Sequence, residues 1–477
     1  MTLKHLVSAI MISSSTLCIS TYSLADTNRL NTLIDHAKTG VPEAEFKLAI
    51  EYYHQEKYAQ AFTWFEKLAK QNHAIAQYFL ASLYEAGDGT PKSLENAFFW
   101  YKQSAEQGDM DAQYSLAYMY ERGEGVAVNL NQAVFWYTKA AEQGEADAQY
   151  NLAYMYEEGE GVAVNLDQAI FWYSKAAEQD HADAKNNLSL IYKSPEKKNL
   201  QKAFELLKEA AEQGRSIAQY NLALMYEEGL GIEKNLALAA QWYTKAAEQG
   251  DIDAQYNLSL MYEDGDGVEK DLSKAFYWLM KAAEQGDAEA QYGVAWMYFE
   301  GSGIDKNEKL AEEWCRKSAQ QGYPHAQNTM GHFYDQRGGS ANDALAVEWY
   351  KKAAEQNNAD AQYNLAWMYE EGRGVQQSYS IAKKLYEIAA HQNHTFAQYN
   401  LAWIYEEGQG TLQNHPIALH WYSKAAENNN ADAQFSLATL YHKGGRGIAK
   451  NINKAKDWYR KAADQGHVQA KIMLAQL

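Results

Sequence analysis

The feature that most constrains this chain is a hexapeptide that keeps returning. Ala-Gln-Tyr-Asn-Leu-Ala, or a close variant, begins at Ala76, Ala112, Ala148, Ala218, Ala254, Ala290, Ala361, Ala397 and Ala433, with degenerate copies at Ala44, Ala184, Ala326 and Ala470. The successive intervals are 32, 36, 36, 36, 34, 36, 36, 36, 35, 36, 36 and 37 residues. So regular a period means a stacked array of one repeated structural unit. Residues 112–147 and 148–183 are nearly identical, the mark of a late duplication.

Each unit reads as two helices. With the opening Ala as position zero, position four is Leu, Val or Met (Leu116, Leu222, Val294, Met330) and position five is small (Ala117, Ser189, Gly331). Position eight is Tyr in all twelve full units, from Tyr52 to Tyr441. Spacings of zero, four, five and eight share one helical face, so these positions are the expected core, Tyr369 among them. The helix then stops at a glycine (Gly123, Gly159, Gly229, Gly265, Gly372, Gly408), and a second glycine follows two residues later. Glycine accepts the left-handed conformation that ends a helix. Ser93, Asn129, Asn165, Asn199, Asn235, Asp271, Asn307, Asn342, Ser378, Asn414 and Asn451 are the expected N-caps of the second helix, which typically reads Ala-x-x-Trp-Tyr-x-Lys-Ala-Ala-Glu-Gln-Gly.

These patterns together resemble the Sel1-like repeat, a relative of the tetratricopeptide repeat with a longer unit and a glycine-bearing loop. The resemblance covers residues 41–477 and implies an all-α, right-handed α/α solenoid of about twelve helix-turn-helix repeats. Three units depart from the pattern. The unit at 44–75 lacks the Gly-x-Gly and is closer to a tetratricopeptide repeat, the unit at 184 has Ser194-Pro195-Glu196-Lys197-Lys198 for its loop, and the unit at 326 carries Arg337-Gly338-Gly339 out of register. The expected organisation is a signal peptide at 1–25, a capping helix at 26–43, the array at 44–469 and a second cap at 470–477.

The signal is read from Lys4 and His5 ahead of an apolar, hydroxyl-rich run from Leu6 to Ser20, with no acid before Asp26. Ser23-Leu24-Ala25 places small residues where a signal peptidase inspects them, so cleavage is expected between Ala25 and Asp26. An exported, periplasmic or secreted address follows. Leu17 before Cys18 argues against a lipid anchor, and after cleavage Cys315 stands alone, so the fold must rest on packing without an internal disulfide. No later run is long enough to span a bilayer. A formal net charge of −19, from 62 acidic and 43 basic side chains, disfavours nucleic acid and favours basic or amphipathic protein segments as partners.

Little in the sequence points to catalysis, and no cofactor is implied. The Gly-x-Gly copies follow helices, lack a P-loop Lys and recur in most units, so helix termination accounts for them. The 13 histidines are scattered, His391 and His394 beside a turn and His415 and His420 five apart, without clustered Cys or carboxylates to make a metal site. Cys315 fills a slot that is Tyr in most second helices (Tyr137, Tyr243) and reads as a packed core residue. Acidic pairs such as Glu157-Glu158 and Glu370-Glu371 read as a solvated face.

The stripe at positions two, six and nine of the first helix is the candidate site, because the tetratricopeptide resemblance implies that it lines a concave groove. It holds Tyr114, Tyr118, Tyr150, Tyr154, Tyr220, Tyr256, Tyr292, Trp296, Tyr363, Trp367, Tyr399 and Trp403. Tyr and Trp are frequent binding hot spots. The position-two tyrosines are equally explained by packing between first helices, whereas the position-six occupant varies from Ile50 to Ser82 to His332, as a core slot should not. The sequence thus points to a non-enzymatic protein-interaction scaffold in the bacterial envelope or exterior, with host contact as one setting. The rival is a cell-wall role, whether glycan binding or the penicillin-binding and β-lactam-hydrolysing activity proposed for cysteine-rich relatives, but this chain lacks their disulfide in each repeat.

Overall fold

The computed structural model describes residues 24–477; the expected signal segment lies outside the described residues except for its last two, Leu24 and Ala25. The described residues form 26 helices: Leu24–Ala37, then twelve helical pairs, then Val468–Gln476. They contain no strand, only an isolated bridge between Gly445 and Ile448. The fold is an all-α solenoid. It divides into two compact units, one running to Ala218 with Leu230–Ile232, the other comprising Gln219–Gly229 and Glu233–Leu477. In each unit, consecutive helices pack upon one another.

In the first unit, the pair Met110–Arg122 and Leu130–Glu142 shows why the sequence folds this way. Ala112, Leu116 and Ala117 are fully buried, as the spacing requires, and so is Met119 at position seven. Position eight is only half-buried. Tyr120 packs edge-on against Phe98 of the preceding repeat, with ring centroids 5.3 Å apart, and its carbonyl accepts the N–H of the next cap, Asn129, at 2.8 Å. The tyrosine recurs at position eight because it seals the seam between repeats, while position seven supplies the core.

The two loop glycines have different tasks. Gly123 ends its helix with φ 74°. A Cβ on Gly125 would lie 2.2 Å from the carbonyl oxygen of Leu94, where the preceding second helix begins, so the loop can nest there only without a side chain. Helix termination is therefore half of what the glycine pair does. Ten of the eleven expected N-caps accept a backbone N–H of their second helix. Asn342 is the exception. The out-of-register Gly338-Gly339 lets its helix start early, at Ser340, and the Asn342 amide, now inside the first turn, donates to the carbonyl of Gly338.

A buried glutamine ladder, unread in the sequence, ties the repeats together. In the first unit Gln149 donates to the carbonyl of Ala141 at 3.1 Å and accepts from Gln179 at 2.9 Å, 30 residues on. In the second unit Gln327 repeats this with Ala319 and Gln356. The unit at 184 replaces the glutamine with Lys185, held almost fully buried between Asp180 and Glu209 at 2.9 and 2.8 Å.

Candidate functional site

The position-two tyrosines are half-buried and lean on the tyrosine of their own repeat's second helix. Ring centroids lie 5.6–5.8 Å apart in the pairs Tyr114–Tyr137, Tyr150–Tyr173, Tyr220–Tyr243, Tyr363–Tyr386 and Tyr399–Tyr422. Burial pushes the Tyr114 phenol up to about 12 and raises the others. Tyr256 and Tyr292 lack this partner, because Leu279 and Cys315 stand in its place. The Tyr256 hydroxyl donates to Glu289, and that of Tyr292 hydrogen-bonds Thr329 at 3.3 Å. Packing is thus built into position two.

Position six is uneven. Trp296 is 53% exposed and Tyr154 41%, while Tyr118 is half-buried. Trp367 and Trp403 are also half-buried, each against its repeat's core, and the guanidinium of Arg373 lies 5.0 Å above the Trp367 ring. Of the three tryptophans, Trp296 alone is free of the core clusters.

Position nine carries structure in six of the twelve repeats. The buried second-helix tyrosine donates its hydroxyl to the position-nine carboxylate in the pairs Tyr101–Glu85, Tyr137–Glu121, Tyr173–Glu157, Tyr243–Glu227, Tyr386–Glu370 and Tyr422–Glu406. The distances are 2.5–2.8 Å. Where such a tyrosine is present, only the second member of the acidic pair, such as Glu158, Glu371 or Glu407, belongs to the solvated face expected for both; at Glu263-Asp264, where Leu279 replaces the tyrosine, both are exposed.

Two adjacent repeats of the second unit break this arrangement, twice each. In the helix Ala288–Glu300 position nine is Phe299 in place of Glu, and its second helix, Glu308–Gln320, carries Cys315 in place of Tyr. The following helix, Pro324–Arg337, has Asn328 at position two and His332 at position six. Rings and a carboxylate are thus missing from neighbouring places. The result is a pocket of about 490 Å³ between these first helices, bounded on the far side by Asp360, Tyr363 and His394. Its lining is apolar at Trp296, Phe299, Phe333 and the buried Cys315, and polar at the exposed Asp360. Burial holds the Cys315 thiol protonated, pushed up to about 12, and the thiol donates to the carbonyl of Ala326, so it lines the pocket as an apolar group. On the rim, His394 caps its helix through Nδ1, which accepts from Ala397 at 3.1 Å, stacks on Tyr363 at 4.7 Å and places Nε2 3.3 Å from Asp360. That hydrogen bond lowers the Asp360 pKa and keeps the carboxylate charged.

Among the described residues no group of three or more His, Cys, Asp or Glu side chains is placed to hold a metal ion, and no helix is long and apolar enough to cross a membrane.

A family model of the Sel1 repeat matches twelve times, at residues 42–73, 74–109, 111–145, 146–181, 182–214, 216–251, 252–287, 288–323, 324–358, 359–394, 395–430 and 431–467. The chain belongs to the Sel1-repeat family. A structure of a protective antigen present in uropathogenic Escherichia coli strains, displaying the same repeat fold, is similar at 32% identity and a TM-score of 0.73, over 93% of this chain and 97% of that one. A Sel1-repeat protein of Oxalobacter formigenes is 27% identical over 83% of this chain and 99% of that one, with a TM-score of 0.45. No curated protein matches. Sel1-repeat solenoids are generally non-catalytic scaffolds for protein–protein interaction.

Proposed function

We propose that this Sel1-repeat chain is an exported adaptor that holds a basic or amphipathic segment of a protein partner on the first-helix face of its second unit. The observation that carries the reading is Trp296, a half-exposed tryptophan beside an apolar pocket whose rim bears the charged carboxylate of Asp360. Large exposed aromatics beside a pocket are typical anchors, and the surplus of 62 acidic over 43 basic side chains favours a basic partner through steering. Tyr292, Tyr363 and Tyr399 frame this face and hold its spacing through their packing. The export reading rests on the N-terminal run and the junction at Ala25 and Asp26, with capping roles for 26–43 and 470–477. A relative described as a protective antigen supports an address outside the cytoplasm.

The test is crosslinking in intact cells with the mature protein, comparing wild type with Trp296→Ala. Loss of the crosslinked partner in the variant is expected, and undiminished crosslinking overturns the site. For the address, a fusion of residues 1–30 to a reporter is expected to be exported and cut after Ala25; a reporter retained in the cytoplasm overturns it.

A further inference from the structure

The pocket at Trp296 has a shape that the rest of the chain explains. Two repeats on, the place corresponding to Cys315 is filled by the buried ring of Tyr386, and the place corresponding to Asn328 by the half-buried ring of Tyr399. Around Cys315 and Asn328 the same backbone framework stands without those rings. The vacancy is therefore walled for aromatic groups. Its chemistry differs in one respect: Tyr386 delivers its hydroxyl to Glu370, whereas the corresponding position here is Phe299, which accepts no hydrogen bond. A phenol reaching that depth meets a ring and leaves its hydroxyl unpaired, at a cost that a plain phenyl ring avoids. At the rim Asp360 keeps its charge beside His394 and is well exposed, so a cation next to the inserted ring is matched.

We infer that this pocket is an anchor site for a phenylalanine side chain of a protein partner, flanked in the partner sequence by a lysine or arginine. The inference deepens the adaptor reading and rests on it. The ring replaces those that the chain itself supplies elsewhere, and the flanking cation faces Asp360.

The experiment uses the full mature chain and blocked dipeptides, read by calorimetry and by tryptophan fluorescence. N-acetyl-Phe-Lys-amide is expected to bind saturably, N-acetyl-Ala-Lys-amide about tenfold or more weaker for want of the buried ring, and the Tyr-Lys probe weaker than Phe-Lys. Replacing Lys by Glu in the Phe probe weakens it in wild type and ceases to matter in Asp360→Asn. Two variants fill the pocket: Cys315→Tyr with Phe299→Glu, which rebuilds the Tyr–Glu pair of other repeats, and Asn328→Tyr, which restores the position-two ring and gives up the hydrogen bond that Asn328 accepts from Asn364. Either one, shown folded by its helicity and melting temperature, is expected to bind no probe. Equal binding of the Phe and Ala probes, or unchanged binding to a folded filled variant, overturns the inference. Crosslinking in cells separates the two levels: a partner lost with Trp296→Ala but kept by the filled variants sinks the anchor alone, and a partner kept by all of them sinks the adaptor site as well.

Discussion

The hydroxyl of Tyr386 donates to Glu370 Oε2 at 2.6 Å, and this bond gives the two adjacent acids Glu370 and Glu371 different work. Glu370 is half-buried and bound to an interior phenol, whereas Glu371 is exposed. Glu370→Ala is expected to cost about 1–3 kcal/mol, the penalty for leaving a buried hydroxyl unpaired. Glu371→Ala should stay within about 0.5 kcal/mol, as surface substitutions do. Urea unfolding of the two variants, followed by circular dichroism, checks the contrast; equal losses would mean that the tyrosine finds another partner.

The same carboxylate sets a pH dependence with an unusual sign. Burial raises the Glu370 pKa above its ordinary 4.5, only partly offset by the Tyr386 hydrogen bond. The folded state therefore holds its proton more tightly than the unfolded chain, so this group's stabilising contribution is present below the ordinary value and is lost as pH rises through the raised one. Glu370→Gln keeps an acceptor for the phenol and does not titrate. The stability of wild type relative to this variant should therefore fall as pH is raised from about 4 to 7. Thermal melts across that range decide it, and a difference that grows with pH refutes it.

Gln149→Ala should prove more damaging than its polar character suggests. It strips a donor from the Ala141 carbonyl of the preceding repeat and an acceptor from Gln179 at the end of its own. A loss of about 2 kcal/mol or more is expected from the orphaned groups. Long arrays need not unfold in one step, so hydrogen exchange in residues 141–179 is the suitable readout, with faster exchange confined to the adjoining repeats.

Two glycine substitutions separate conformational strain from close approach. Gly125 and Gly144 both have positive φ, 68° and 100°, but a Cβ at Gly144 meets nothing within 4 Å. Gly144→Ala should cost about 1–2 kcal/mol, the strain of the left-handed region alone. Gly125→Ala also drives a methyl group into the Leu94 backbone and should lower the melting temperature distinctly further.

The tryptophans at position six should not behave alike. Trp296→Ala is expected to change stability by less than about 1 kcal/mol because half of its surface is already in water. Trp367→Ala and Trp403→Ala each remove a ring packed on a core cluster and should cost about 2 kcal/mol or more. Substituting all three at once therefore mixes binding with folding, contrary to the expectation that position six lies clear of the core; Trp296 gives the cleaner measurement.

The helices, their period and nearly all their caps were legible because each is signalled locally: a glycine at a helix end, an asparagine ahead of the next, small residues four and five along a face. Position seven escaped notice because methionine is a common surface helix former as well as a core filler, and Asn342 misled because its helix starts three residues early. The Tyr–Glu bond joins residues 16 apart whose side chains meet only when two helices pack, so no single-helix periodicity reveals it. The pocket was the least legible feature. It comes from departures at 299, 315, 328 and 332, each unremarkable alone, that coincide only in the folded chain.

The glutamine ladder has a kinetic consequence. Each rung joins residues about 30 apart, and each Tyr–Glu bond residues 16 apart, so the recurring polar links close only short loops. The entropy of loop closure grows slowly with length and is modest at this range, and topologies dominated by near-neighbour contacts reach the native state quickly. A chain of 477 residues organised in this way has no need to bring its ends together before anything is gained. A newly threaded segment can settle against the one before it while later segments are still unstructured, so the search for the native state grows with the number of repeats rather than with the number of ways distant segments can meet.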